Sequence, residues 1–204
     1  MTMMNERKLV LATNNKGKMR EFDAMFAPLG IEVVNQGALG VGGCEEPFGT
    51  FLENALEKAR HASRETGLPA MADDSGICVN ALMGAPGVHS ARYSGVQGDD
   101  AANNALLVKN LRGVENRRAH FICVLVAVRT PEDPEPLVAV GRWFGEIVDQ
   151  AGGTGGFGYD PHFFVPELGR TAAELEPAEK NRLSHRGQAL RAMVPLLKNV
   201  WGWS

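Results

Sequence analysis

The stretch Pro69-Ala70-Met71-Ala72-Asp73-Asp74-Ser75-Gly76-Ile77-Cys78-Val79 decides how the rest of the chain is read. Apolar residues run up to two adjacent acids and resume after a glycine, which predicts two buried strand segments joined at a tight bend, with the acids at a strand end. Neighbouring side chains on a strand point to opposite faces, so one carboxylate enters a given site while the other braces the turn. A carboxylate so placed is a hard oxygen ligand suited to Mg²⁺. Asp, Ser and Gly are equally the residues of an ordinary Asx turn, and the choice between the two falls to other parts of the chain.

Upstream, Lys8 to Ala12 is a short apolar run followed at once by Thr13-Asn14-Asn15-Lys16-Gly17-Lys18. Met19, Phe22, Phe26 and Leu29 then recur near helical spacing until Pro28 and Gly30 end the pattern. A strand, polar loop and helix in that order bring backbone N–H groups and a helix N-terminus together, which favours an anion, and Lys16 and Lys18 add charge. The loop is no Walker A sequence, and a solvated loop has the same composition. Ile31 to Val34 reads as a second strand, followed by a glycine-rich loop carrying Glu45 and Glu46. Thr50 with Glu53 is a capping-box pattern opening a helix that Gly67 closes.

Downstream, Asp99 or Asp100 caps a helix through Leu111, and Ala119 to Val128 and Leu137 to Val148 are long strand candidates joined by a Pro- and acid-rich hairpin loop. Antiparallel neighbours there and strand-helix units earlier predict a mixed sheet. Gly152 to Pro161 contains Phe157-Gly158-Tyr159-Asp160; its glycines permit close backbone approach to something flat, and Phe157 and Tyr159 are rings that stack on a nucleobase or fill a core. Thr171 with Glu174 is a further capping box, and Ser184 caps a last helix from about Gln188. His185 and Arg186 then stand in its first turn, where the helix dipole disfavours cations, a placement that a bound ligand or solvent offsets.

The bulk numbers narrow the function class. A chain of 204 residues buries a sizeable core as one domain, with room for two lobes. A net charge of -3 argues against a bulk nucleic-acid binder, so any phosphate is met by locally placed Lys and Arg. No apolar run approaches the roughly 18 residues of a membrane span, and Met1 to Lys8 lacks a signal-peptide hydrophobic region, which makes a cytoplasmic location the expectation. Cys44, Cys78 and Cys123 form no metal-type pair, and the last two, in apolar runs, are expected to be buried small hydrophobes.

Taken together, the Thr13 to Lys18 loop, the Glu46 loop, Asp73-Asp74-Ser75-Gly76, the Phe157-Gly158-Tyr159-Asp160 turn and Lys180 with Ser184-His185-Arg186 resemble, in order, the inosine/xanthosine triphosphate pyrophosphatase family. The similarity runs from Leu9 to about Leu197. It implies an α/β fold with a mixed, twisted sheet flanked by helices, a single domain over 1–204 with two lobes around a substrate cleft, and a homodimer. The implied activity is Mg²⁺-dependent hydrolysis of ITP, dITP and XTP to the monophosphate and pyrophosphate, with no nucleic-acid or membrane partner. Carried over by residue, Thr13, Asn14, Asn15, Lys16, Gly17 and Lys18 would hold the triphosphate. Glu46 and Asp74 would hold Mg²⁺, with Asp74 as base for the attacking water and Ser75 on the substrate. Phe157, Gly158, Tyr159, Asp160, Lys180, His185 and Arg186 would enclose the base. Glu45 against Glu46, and the share of Asp73 in the work of Asp74, stay open. A nucleotide-binding protein without turnover is the competing reading, against which Asp74, Glu46 and Lys18 together argue.

Overall fold

The computed structural model describes residues 7–13, 16–26 and 30–203. Seven strands form one sheet in the order β2-β1-β3-β4-β5-β6-β7. They are β1 (Lys8–Leu11), β2 (Glu32–Asn35), β3 (Ala70–Val79), β4 (Arg118–Val128), β5 (Leu137–Ile147), β6 (Phe163–Val165) and β7 (Arg170–Thr171). β1 pairs parallel with β2 and β3, and β6 pairs antiparallel with β5 and β7, so the sheet is mixed as expected. The helices are α1 (Lys16–Phe26), α2 (Phe51–Thr66), α3 (Asp100–Asn110), α4 (Pro177–Leu183) and α5 (His185–Trp201). Among the described residues, no helix is long and apolar enough to cross a membrane.

The chain divides into two compact units, Met1–Asp74 with Val124–Val140 and Ala189–Ser204, and Ser75–Cys123 with Gly141–Gln188. In the first, β1 is closed off from water, with Leu9, Val10 and Leu11 at 0% exposure. Such a near-continuous apolar run is what a parallel strand covered on both faces requires. α1 packs on β2, and α2 packs on β1 through the small residues Ala55, Ala59 and Ala62, which let helix and sheet approach closely. Thr50 caps α2 by accepting from the Glu53 N–H, and Gly67 ends it in the left-handed conformation at φ 68°. In the second unit Ile77, Leu107, Phe121, Trp143, Tyr159 and Phe163 share one buried core.

β3 departs from the expected bend. The strand runs unbroken from Ala70 to Val79 through Asp73-Asp74-Ser75-Gly76, so both acids lie mid-strand. Its parallel partner β1 ends at Leu11, in register with Met71. β3 thus carries Asp73 and Asp74 past the carboxyl end of β1, level with the chain that leaves β1 for α1, the place where open α/β sheets gather ligands. Cys78 is part-exposed rather than buried, whereas Cys123 is buried as expected.

Candidate active site

In the first unit, two lysines from different helices meet the two buried acids. Lys18 of α1 lies 2.7 Å from Asp73 Oδ2, and Lys58 of α2 lies 3.0 Å from Asp74 Oδ1. Adjacent side chains on a strand face opposite ways, so the pair takes its partners from two helices. Lys58 Nζ also donates to Glu46 Oε1 at 2.8 Å, so one ammonium joins Glu46 to Asp74. Glu45, one residue back, is exposed, and it is Glu46 that reaches inward.

Asn54, one turn before Lys58 on α2, is 1% exposed and holds the loop before the helix: its side chain accepts from Phe48 N–H and donates to Phe48 C=O. Its amide also lies 3.4 Å from Asp74 Oδ2. Thr13 is buried at the end of β1, where its carbonyl accepts from the Asn35 side chain at 2.8 Å.

Burial raises the Asp74 carboxyl above its usual range; Lys58 pulls it back and Glu46 pushes it up. For Lys58 burial acts downward, but Asp74, Asp73 and Glu46 outweigh it and hold the ammonium well above the ordinary lysine range. A charged Lys58 between the two carboxylates offsets part of the burial cost of the Asp74 charge.

The second unit carries a turn built on Asp160. Asp160 Oδ2 accepts from Phe157 N–H at 2.8 Å and from Lys180 Nζ at 2.7 Å. Lys180 Nζ stands 4.8 Å and Arg186 Cζ 5.5 Å from the Phe157 ring centroid, both within cation–π range. Arg186 donates to Ser75 Oγ at 3.2 Å, and the His185 ring stacks on Phe121 at 4.8 Å. Ser184 caps α5, accepting from Gly187 N–H, so His185 and Arg186 occupy its first turn as read. Helix α4, opened by Pro177, buries Lys180 and was not foreseen.

Several expectations change in detail. Tyr159 is 4% exposed and its hydroxyl donates to Ser90 C=O, so its ring belongs to the buried core. The glycines closely approach the chain itself: a Cβ on Gly153 or Gly155 would meet Ala173, and one on Gly156 would meet the Asp160 carboxylate. Asn14 and Asn15 lie outside the described residues, and Lys16 and Gly17 are described only as the start of α1. Lys58 and Asn54 escaped the sequence reading, since neither stands out among the polar residues of α2.

These are the features of an α/β protein equipped with paired carboxylates and lysines in one unit and a basic, aromatic turn in the other. The profile of the Ham1 family matches residues 9–196, and the chain belongs to that family. It is 63% identical over 196 residues to the dITP/XTP pyrophosphatase of Burkholderia pseudomallei, covering 95% of this chain and 94% of the relative. Identity to the dITP/XTP pyrophosphatase of Chromobacterium violaceum is 64% over 191 residues, covering 94% and 97%. The solved structure of a HAM1 protein from Coxiella burnetii superposes with a TM-score of 0.88 at 45% identity, covering 94% of this chain and 98% of that one. The family resemblance read from the motifs is borne out.

Proposed function

We infer that the chain is a nucleoside triphosphate pyrophosphatase, hydrolysing non-standard purine nucleoside triphosphates, ITP, dITP and XTP, to the monophosphate and pyrophosphate. The relatives named for this activity match it almost end to end, which supplies the substrate class. The observation that carries the chemistry is the convergence of Glu46 and Asp74 on one cation, at 2.8 and 3.0 Å. Two carboxylates that already share a positive charge suit a divalent ion, and we assign them to Mg²⁺. Among the described residues no group of three His, Cys, Asp or Glu side chains is placed to hold a metal; Mg²⁺ commonly takes one or two carboxylates and leaves its other positions to water and phosphate oxygens, which Glu46 and Asp74 would suit. When bound, the ion supplies charge that offsets repulsion between the phosphates and an incoming nucleophile.

The chain's own residues do the rest. Lys18, held by Asp73, is a positioned cation for the phosphate chain, with Thr13 and Asn14, Asn15, Lys16 and Gly17 of the same loop. Asp74, its basicity increased by burial, takes the proton of the attacking water as the α–β phosphoanhydride is cleaved. Lys58 keeps Asp74 and Glu46 oriented and adds positive charge. Phe157 stacks on the base, with Arg186, Lys180 and His185 beside it, Ser75 bonded to Arg186, and Asp160 bracing the turn. Donors aimed at O6 accept hypoxanthine and xanthine and leave the 6-amino group of adenine unpaired.

A cytoplasmic homodimer with no nucleic-acid or membrane partner completes the proposal. The exposed side of β5 presents Val138, Val140 and Phe144, apolar area that a second copy would cover. Product identity tests the reaction. Phosphorus NMR of ITP incubated with the protein and Mg²⁺ should show IMP and pyrophosphate; IDP and orthophosphate would contradict the assignment.

A further inference from the structure

Helix α3, read in the sequence only for its cap, holds the Gly158 main chain through two side chains. Gly158 has φ +63°, and a Cβ there would meet nothing within 4 Å, so the glycine is required by the turn of the backbone and not by crowding. Its N–H donates to Asp100 Oδ2 at 2.7 Å, and its carbonyl accepts from Asn104 Nδ2 at 2.8 Å. Asp100 and Asn104 stand four apart on α3 and so share one face. Phe157 N–H and C=O are already taken by Asp160, through its carboxylate and its own N–H. All four main-chain polar groups of Phe157 and Gly158 are thereby fixed, two from within the turn and two from α3.

The Asn104 amide adds a second sign. Nδ2 donates to two carbonyls, of Asp100 and Gly158, while the buried Oδ1 has no hydrogen-bond partner among the described residues. The amide is thus oriented by the carbonyls of Asp100 and Gly158. We propose that Asp100 and Asn104 are positioning residues for base recognition, holding the Gly158 main chain so that the Phe157 ring is fixed beside Lys180 and Arg186. The proposal rests on the assignment of Phe157 to the base. Preorganising a recognition element in this way removes an ordering penalty from binding.

The test separates the base from the phosphates. Asp100→Ala, Asn104→Ala and Asp100→Asn are compared with wild type for IMP affinity by calorimetry, inhibition by inorganic pyrophosphate, and the KM and kcat of ITP. The alanine variants should weaken IMP and raise the ITP KM by about tenfold, keep kcat within about twofold, and leave pyrophosphate inhibition unchanged. Asp100→Asn, which keeps an acceptor for the Gly158 N–H, should recover most of the lost affinity. Unchanged IMP affinity, an equal loss for IMP and pyrophosphate, or no recovery in Asp100→Asn would each overturn the proposal. A wild type that binds IMP without hydrolysing ITP removes the pyrophosphatase reading, and the IMP comparison still decides the role of α3. A wild type that binds no IMP overturns both.

Discussion

Replacing Lys58 by Met keeps the apolar stem and removes the ammonium that joins Glu46 to Asp74 at 2.8 and 3.0 Å. Removing one partner of a buried ion pair costs roughly 3–5 kcal/mol because the remaining charge is left uncompensated. Glu46 keeps 30% of its side-chain exposure and can turn to water, whereas Asp74 keeps 9% and cannot. The lower end, about 3 kcal/mol at neutral pH, is therefore expected. At roughly 2–4 °C per kcal/mol for a protein of this size, melting should fall by about 6–12 °C. The pH dependence carries a definite sign. Asp74 is already raised from 3.8 by burial and loses its nearest compensating charge, so the variant's deficit is full above the Asp74 folded pKa and shrinks as pH falls through it, where the carboxyl is neutral. With the competing ammonium gone, Mg²⁺ without nucleotide should raise the variant's melting temperature more than that of wild type. Scanning calorimetry at pH 7.5 and near pH 4, with and without Mg²⁺, reads all three effects. A variant as stable as wild type at pH 7.5, or a deficit that grows on acidification, would refute the electrostatic account of the cluster.

Other outcomes follow from the second unit and the periphery. Arg186→Ala should lower ITP turnover sharply and narrow the ITP-to-ATP ratio of kcat/KM, while Phe157→Ala lowers both with less change in ratio, since every base offers a face for stacking; an unchanged ratio in Arg186→Ala places base selection elsewhere. Asp133, held at about 2 by the Arg129 side chain despite burial, contributes stability that is present above about 3.8 and lost as pH falls towards 2. Asp133→Asn should then lose about 2 kcal/mol at most by urea unfolding at pH 7, and its deficit should vanish below pH 2. Phe144→Glu, on the exposed side of β5, should shift the sedimenting species from dimer towards monomer with the fold retained by circular dichroism; an unchanged dimer places the interface elsewhere.

Elements whose signal is local were legible in the sequence. Thr50 and Thr171 cap as their spacing with Glu53 and Glu174 indicated, Asp99 caps α3, and Ser184 caps α5, because each contact spans three residues. β3 was misread at its centre because Asp, Ser and Gly favour bends locally, a weak preference that pairing within a sheet overrides. Lys58 was missed because its partners Glu46 and Asp74 lie 12 and 16 residues away, and nothing in the sequence of α2 distinguishes a lysine aimed at a buried acid from one in water. The glycines around Phe157 signalled close approach correctly, but whether they meet a ligand or the Ala173 carbonyl depends on a segment whose path is tertiary. Asp100 was read only as an alternative cap of α3 and Asn104 was not singled out, because Gly158 is 58 and 54 residues away.

The proposed chemistry is hydrolysis of non-standard purine triphosphates by the paired carboxylates Glu46 and Asp74. Pyrophosphate release from ITP, XTP, GTP and ATP, measured with Mg²⁺ for wild type and Asp74→Asn, tests it most directly. ITP and XTP should be turned over best, GTP poorly and ATP worst, and Asp74→Asn should lose roughly 100-fold or more on ITP with its circular dichroism unchanged. Near-normal turnover by a folded Asp74→Asn protein, or ATP cleaved as readily as ITP, would contradict it.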